Sequence, residues 1–145
     1  AGSLFGEAFV CAGIPHLPVD IVAAEDCTIM FLKGKKLLNT CDNGWKFHHT
    51  LIRNLLGIVA QNNMYLNQKI KYTSRKTTRE KLMAYLTDQA KMKGSNDFTI
   101  PFNRQELADY LGVERSAMSA ELGKLTKLGI LQTQRSHFTL LKPLD

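Results

Sequence analysis

At 145 residues the chain has room for one compact domain or two small ones and none for a large multidomain enzyme. Apolar residues make up 44% and charged residues 22%, enough to build a core, and no apolar run reaches the ~18 residues of a membrane-spanning helix. Charge is divided unevenly: residues 1–50 carry four Lys against five Asp or Glu, a net of −1, whereas residues 51–145 carry fifteen Lys or Arg against eight acids, a net of +7. The later two thirds are therefore expected to meet an anionic partner, nucleic acid before an acidic membrane surface, although solvated lysines alone would give the same balance.

The first ten residues lack the basic flank and long apolar stretch of a secretory signal, so a cytoplasmic location is expected. Cys11, Cys27 and Cys41 are odd in number and spaced by 16 and 14 residues. That spacing suits neither a disulfide framework nor a metal knuckle, and reduced thiols without a metal are expected. Phe9-Val10, Ile21-Val22-Ala23-Ala24 and Ile29-Met30-Phe31-Leu32 are short apolar or β-branched runs separated by Gly13, Pro15, Pro18 and Glu25-Asp26. They predict three or four strands over residues 1–43, the tail end of a larger barrel or sandwich of which this chain is a fragment.

From about Trp45 to Lys71 the pattern turns helical, with one Gly and no Pro, about 40 Å of rise. Ile52, Leu55, Val59, Asn62, Leu66 and Lys69 fall at alternating spacings of three and four, a coiled-coil seam whose polar Asn62 can set register. Leu51, Leu56, Ile58 and Tyr65 form a second stripe left for packing on the β region. Two apolar faces need two neighbours, and a second copy of the chain is the expected one; packing of both stripes within a subunit is the alternative.

Thr77-Thr78-Arg79-Glu80 reads as a capping box opening another helix with Leu82, Met83, Tyr85, Leu86 and Ala90 inward. Around it lie Lys69, Lys71, Arg75, Lys76, Arg79 and Lys81 against Glu80 alone, a run that usually forms a solvated face but at a helix start can hold a phosphate. Phe98 to Phe102 alternates like a short strand, with Pro101 pointing to an edge.

Residues 103–122 are the most informative. Asn103 caps with Glu106, Leu107 and Leu111 point inward, and Ala108 is small where a second helix must cross. Gly112 supplies a left-handed turn residue, and Val113, Met118 and Leu122 anchor the next helix. This is a helix-turn-helix pattern. Leu131 to Leu141 then reads as a hairpin around Arg135-Ser136, the wing of a winged helix.

This order of elements, with Phe5-Gly6-Glu7 at the start, resembles the Crp/Fnr family of bacterial transcription regulators, most specifically from Arg104 to Leu131. The resemblance implies an α+β fold with a partial β-roll remnant (1–43), a long dimerisation helix (44–73) and a winged helix-turn-helix DNA-binding domain (74–145). It implies a homodimer on two-fold symmetric duplex DNA through Ile52, Leu55, Val59, Asn62 and Leu66, RNA polymerase as a further partner, a small-molecule effector, and no membrane. Cyclic-nucleotide-binding members follow the Gly-Glu pair with an arginine that grips the phosphate; here that place reads Pro15-His16-Leu17-Pro18-Val19. A buried phosphodiester without a cation is costly, which argues against cyclic AMP.

No cysteine cluster for an iron-sulfur centre is present in the sequence. His16, His48 and His49 are read as ordinary surface or core residues, and the effector stays open. Where many members carry Arg-Glu-Thr-x-x-Arg in the recognition helix, this chain has Arg115-Ser116-Ala117-Met118-Ser119-Ala120. Arg115 is expected to meet a guanine edge, Ser116 and Ser119 bases or phosphates, and Ala120 at most a thymine methyl. Arg104, Lys124 and Arg135 are expected on the DNA backbone. No catalytic residues are assigned, since no nucleophile triad, phosphate loop or HExxH motif occurs. The alternative is a ligand-sensing or adaptor module whose winged helix binds protein.

Overall fold

The computed structural model describes residues 4–34, 36 and 46–141; Cys41 and Trp45 lie outside them. Five helices and three strands follow in chain order among these residues: α1 (Glu7–Cys11), α2 (Lys46–Thr73), α3 (Thr78–Lys93), β1 (Asp97–Thr99), α4 (Arg104–Leu111), α5 (Arg115–Lys127), β2 (Leu131–Gln134) and β3 (His137–Leu140). The chain divides into two compact units, Ala1–Met64 and Tyr65–Asp145, with the division inside α2.

In the first unit the strands expected at residues 9–10, 21–24 and 29–32 are not formed. Phe9 and Val10 belong to α1, and residues 12–33 carry no strand. The reason is physical: a strand exists only when a neighbour takes up its N–H and C=O groups, and no described residue of this unit does so. No strand is formed among the described residues of 1–43, and the three strands described all belong to the second unit. What order the first unit has comes from a few isolated contacts. Val10 of α1 comes so close to Gly34 that a β-carbon there would stand 2.4 Å from it. The Asn62 amide donates to the Glu7 carboxylate at 2.7 Å. Leu55 is buried.

The second unit is built on caps and a continuous core. Thr77 accepts from the Glu80 amide at 3.1 Å while Glu80 Oε2 accepts from the Thr77 amide at 3.2 Å, the reciprocal box expected there, and α3 buries Leu82, Tyr85, Leu86 and Ala90 on one face. Asn103 does the same for α4, accepting from the Gln105 and Glu106 amides at 2.9 and 3.0 Å. Gly112 ends α4 at φ +59°, a conformation that costs a side-chain-bearing residue about 1 kcal/mol. Ala108, fully buried, lets α5 cross closely. Met118, Leu122 and Leu125 of α5 close the core against α3, α4 and β2.

The antiparallel sheet has the order β1-β3-β2, with Phe98 opposite Phe138 and Gln134 opposite His137. Pro101 therefore follows an edge strand, as its missing N–H requires. The last turns of α2 join this unit through an aromatic cluster: Tyr72 meets Tyr85 edge-on at 5.5 Å, and Tyr110 lies 5.0 Å from Phe102. The Tyr72 hydroxyl donates to Asp88 at 3.0 Å. Burial, then that carboxylate, pushes the Tyr72 phenol well above its ordinary pKa.

Candidate nucleic-acid interface

Burial of Met118, Leu122 and Leu125 fixes which side of α5 faces out. At 100° per residue the opposite side carries Ser116, Ala120, Gly123 and Lys127, flanked by Ser119 on one edge and Ala117 and Lys124 on the other, with Arg115 in the first turn beyond Ser119 toward the buried side; all of these are exposed. Ser116, Ser119 and Ala120, three of the residues expected to read bases, are thus brought to one surface, with Arg115 at its border. It is a smooth surface of small side chains, with cations at both ends. Lys124 is exposed and touches Glu121 at 3.3 Å, an i,i+3 pair worth only a few tenths of a kcal/mol, ~0.3.

Ser116 is not free. Its hydroxyl bonds the carboxylate of Glu114, which stands at the N-cap of α5 and also accepts from the Ala117 amide at 2.9 Å. The hydroxyl and then the amide hold the Glu114 carboxyl below the usual carboxylate range. Nothing in the sequence reading pointed to Glu114, because glutamate is not among the favoured N-caps; its place one residue before Arg115 and three before Ala117 was the available signal. Lys127, on the outward face one turn beyond Gly123, was also passed over.

The wing is clipped to the helix-turn-helix by two side chains. Ser136 Oγ donates to the Phe102 carbonyl at 2.9 Å. Arg104, at the first turn of α4, donates from Nη2 to Thr133 Oγ1 at 2.6 Å and lays its guanidinium 5.0 Å from the Phe138 ring centroid. No acid pairs with it among the described residues, its Nη1 is buried without a partner, and burial lowers its pKa. Arg104 thus serves as a cationic clip between α4 and β2.

At the wing tip Arg135 is exposed and adopts φ +53°, unlike any other non-glycine residue described. A left-handed arginine costs about 1–2 kcal/mol relative to glycine. On the outer face of the sheet, His137 Nε2 lies 2.9 Å from Asp97 Oδ1, and Thr139 donates to the same oxygen at 2.6 Å; Thr139 first and His137 second lower the Asp97 pKa. These contacts tie the edge strand β1 to β3.

Of the histidines weighed as ligands, His16 and His49 are exposed, and no group of three His, Cys, Asp or Glu suited to a metal occurs among the described residues. Cys11 and Cys27 are exposed free thiols. No described helix is long and apolar enough to cross a membrane.

A family model for the Crp-like helix-turn-helix domain matches residues 80–144. No curated protein matches the chain. The match begins within α3 and runs through β1, α4, α5 and the hairpin, the elements whose caps, core and clips are described above. The second unit therefore carries a Crp/Fnr-type winged helix-turn-helix domain, an architecture that points to DNA binding and transcription regulation.

Proposed function

We propose that this chain is a sequence-specific transcription regulator of Crp/Fnr type, acting as a homodimer with α5 in the major groove of a two-fold symmetric operator. The observation that carries this reading is the outward face of α5. It is free of bulky apolar side chains, rimmed by Arg115, Lys124 and Lys127, and flanked by a wing held in place by Arg104 and Ser136. An arginine kept at the wing tip in a conformation that glycine or asparagine would relax supports a charge needed there. In this reading Arg115 meets a guanine edge, Ser119 and Ala120 approach the groove floor, Ser116 is drawn on only after leaving Glu114, and Lys124 and Arg135 meet phosphates. Arg104 acts on DNA through the wing it holds.

The dimer belongs to the same proposal. Of the seam expected from spacing on α2, Leu55 and Asn62 are engaged within the subunit. Leu56, Leu66 and Ile70 are 63%, 55% and 61% exposed. Ile52, Leu56, Val59, Leu66 and Ile70 follow spacings of four, three, seven and four and give a seam for a second copy. Ile52, Val59 and Leu66 are common to this seam and to the one read from spacing alone.

Selection from a random duplex pool tests the reading. The expected product is a two-fold repeat with half-sites about one helical turn, ~34–36 Å, apart. Arg115→Ala should then cost about 1–3 kcal/mol at one position in each half-site and relax the preference there. Recovery of duplexes without a repeat, indifferent to Arg115→Ala, would favour the protein-binding adaptor instead.

A further inference from the structure

Six cations crowd the junction of α2 and α3, and the structure separates them into two sets. Lys71 is paired with Asp88, Lys81 donates to the Gly112 carbonyl at 3.2 Å, and Lys69 lies 5.9 Å from the Tyr110 ring centroid. Arg75, Lys76 and Arg79 are exposed and form no ion pair with any described residue. The one acid of the turn, Glu80, is occupied, since its Oε2 accepts from the Lys76 and Thr77 amides at 3.1 and 3.2 Å. Three unpaired cations within five residues repel one another, a cost that an anionic partner removes.

Their position says which partner. The Lys81 bond to Gly112 sets the first turns of α3 beside the turn between α4 and α5, and a β-carbon on Gly112 would lie 3.9 Å from Thr73. Arg75, Lys76 and Arg79 therefore belong to a turn that stands beside the turn leading into α5. At the start of α5 the exposed amides of a helix N-terminus would ordinarily take a phosphate. Here the carboxylate of Glu114 already fills the place, bonded to the Ala117 amide and the Ser116 hydroxyl. A second anion is repelled from it.

We propose that this protein grips DNA phosphates at the α2–α3 turn, through Arg75, Lys76 and Arg79, and excludes them from the N-terminus of α5 by means of Glu114. This rests on the DNA-binding reading and adds where the backbone is held. Glu114 acts as a restraint on affinity, and the three cations extend the footprint beyond the recognition helix and wing.

The test compares two full-length variants with the same change of charge: K76Q/R79Q at the start of α3 and K91Q/K93Q in its last turn, about 18 Å along the same helix from Arg79. Neither touches the Thr77–Glu80 box. Measured on one selected duplex and one unrelated duplex over a range of salt, K76Q/R79Q should weaken both about tenfold and reduce the salt slope by about 0.9 per lost contact; K91Q/K93Q should stay close to wild type. E114Q, which keeps an acceptor for the Ala117 amide, should tighten binding to both duplexes alike.

Equal effects of the two double variants would overturn the phosphate assignment. So would weaker binding by E114Q, or a change confined to one base pair, which would make Glu114 a reader of bases. Wild-type protein that binds no duplex at low salt would instead overturn the DNA-binding reading itself.

Discussion

The two units spend similar apolar material in different ways. In the second, side chains from Tyr72 to Leu140 close into one core; in the first, Leu55 is the one buried hydrophobic residue among those described. Val22 and Phe31 are 85% and 87% exposed, whereas Leu86 and Phe138 are fully buried. Apolar composition does not separate these segments. What separates them is whether the backbone can be satisfied nearby. Each of α3, α4 and α5 opens on a side-chain cap, so it can form and then offer a face to its neighbours. The runs around Ile21 and Ile29 depend on a partner strand that no described residue supplies, and their side chains stay outside.

The largest effects should follow from opening the core of the second unit, at Leu125 as at Phe138. Leu125 is fully buried where α5 meets the rest of that core. Leu125→Ala should cost about 2–5 kcal/mol, transfer free energy plus the cavity left behind, read as a lower denaturant midpoint at unchanged slope. A loss under about 1 kcal/mol would mean that this core is looser than its burial implies.

The same contrast explains how much could be read from the residues. Thr77 with Glu80, Asn103 with Glu106, and Gly112 were legible because each acts on backbone groups within four residues, where spacing alone settles geometry. The core faces of α3, α4 and α5 were legible through their periodicity. The seam on α2 was harder: Ile52, Val59 and Leu66 can be joined either through Leu55 and Asn62 or through Leu56, and which set the subunit covers depends on contacts as distant in sequence as Asn62 with Glu7, 55 residues apart. Arg104 showed its charge in the sequence but not its fold back onto Phe138 and Thr133, a contact made only once the wing exists. Glu114 escaped because its capping role breaks the usual preference.

A middle-sized effect tests the role of caps. Removing the Asn103 side chain leaves the Gln105 and Glu106 amides without their acceptor. Asn103→Ala should cost about 1 kcal/mol, while Asn103→Asp, which keeps the acceptor and adds charge favourable to a helix N-terminus, should cost much less. Equal losses in the two would show that the cap is not what holds the start of α4.

The smallest effect is expected where the apolar side chain is already in water. Phe31 gains nothing from folding if 87% of its surface remains exposed, so Phe31→Ser should change stability by no more than about 0.5 kcal/mol, the range of ordinary surface substitutions. The comparison is sharpest beside Phe138→Ala, where an aromatic ring of the same size is fully buried and the expected loss is about 3–5 kcal/mol. Both variants should be measured by denaturant unfolding at two protein concentrations. If Phe31→Ser costs as much as Phe138→Ala, and the cost grows with protein concentration, the first unit is covered by a second copy in solution, because only an intermolecular contact makes stability depend on concentration. A large cost independent of concentration would mean that the chain itself buries Phe31, and the contrast between the two units would fail.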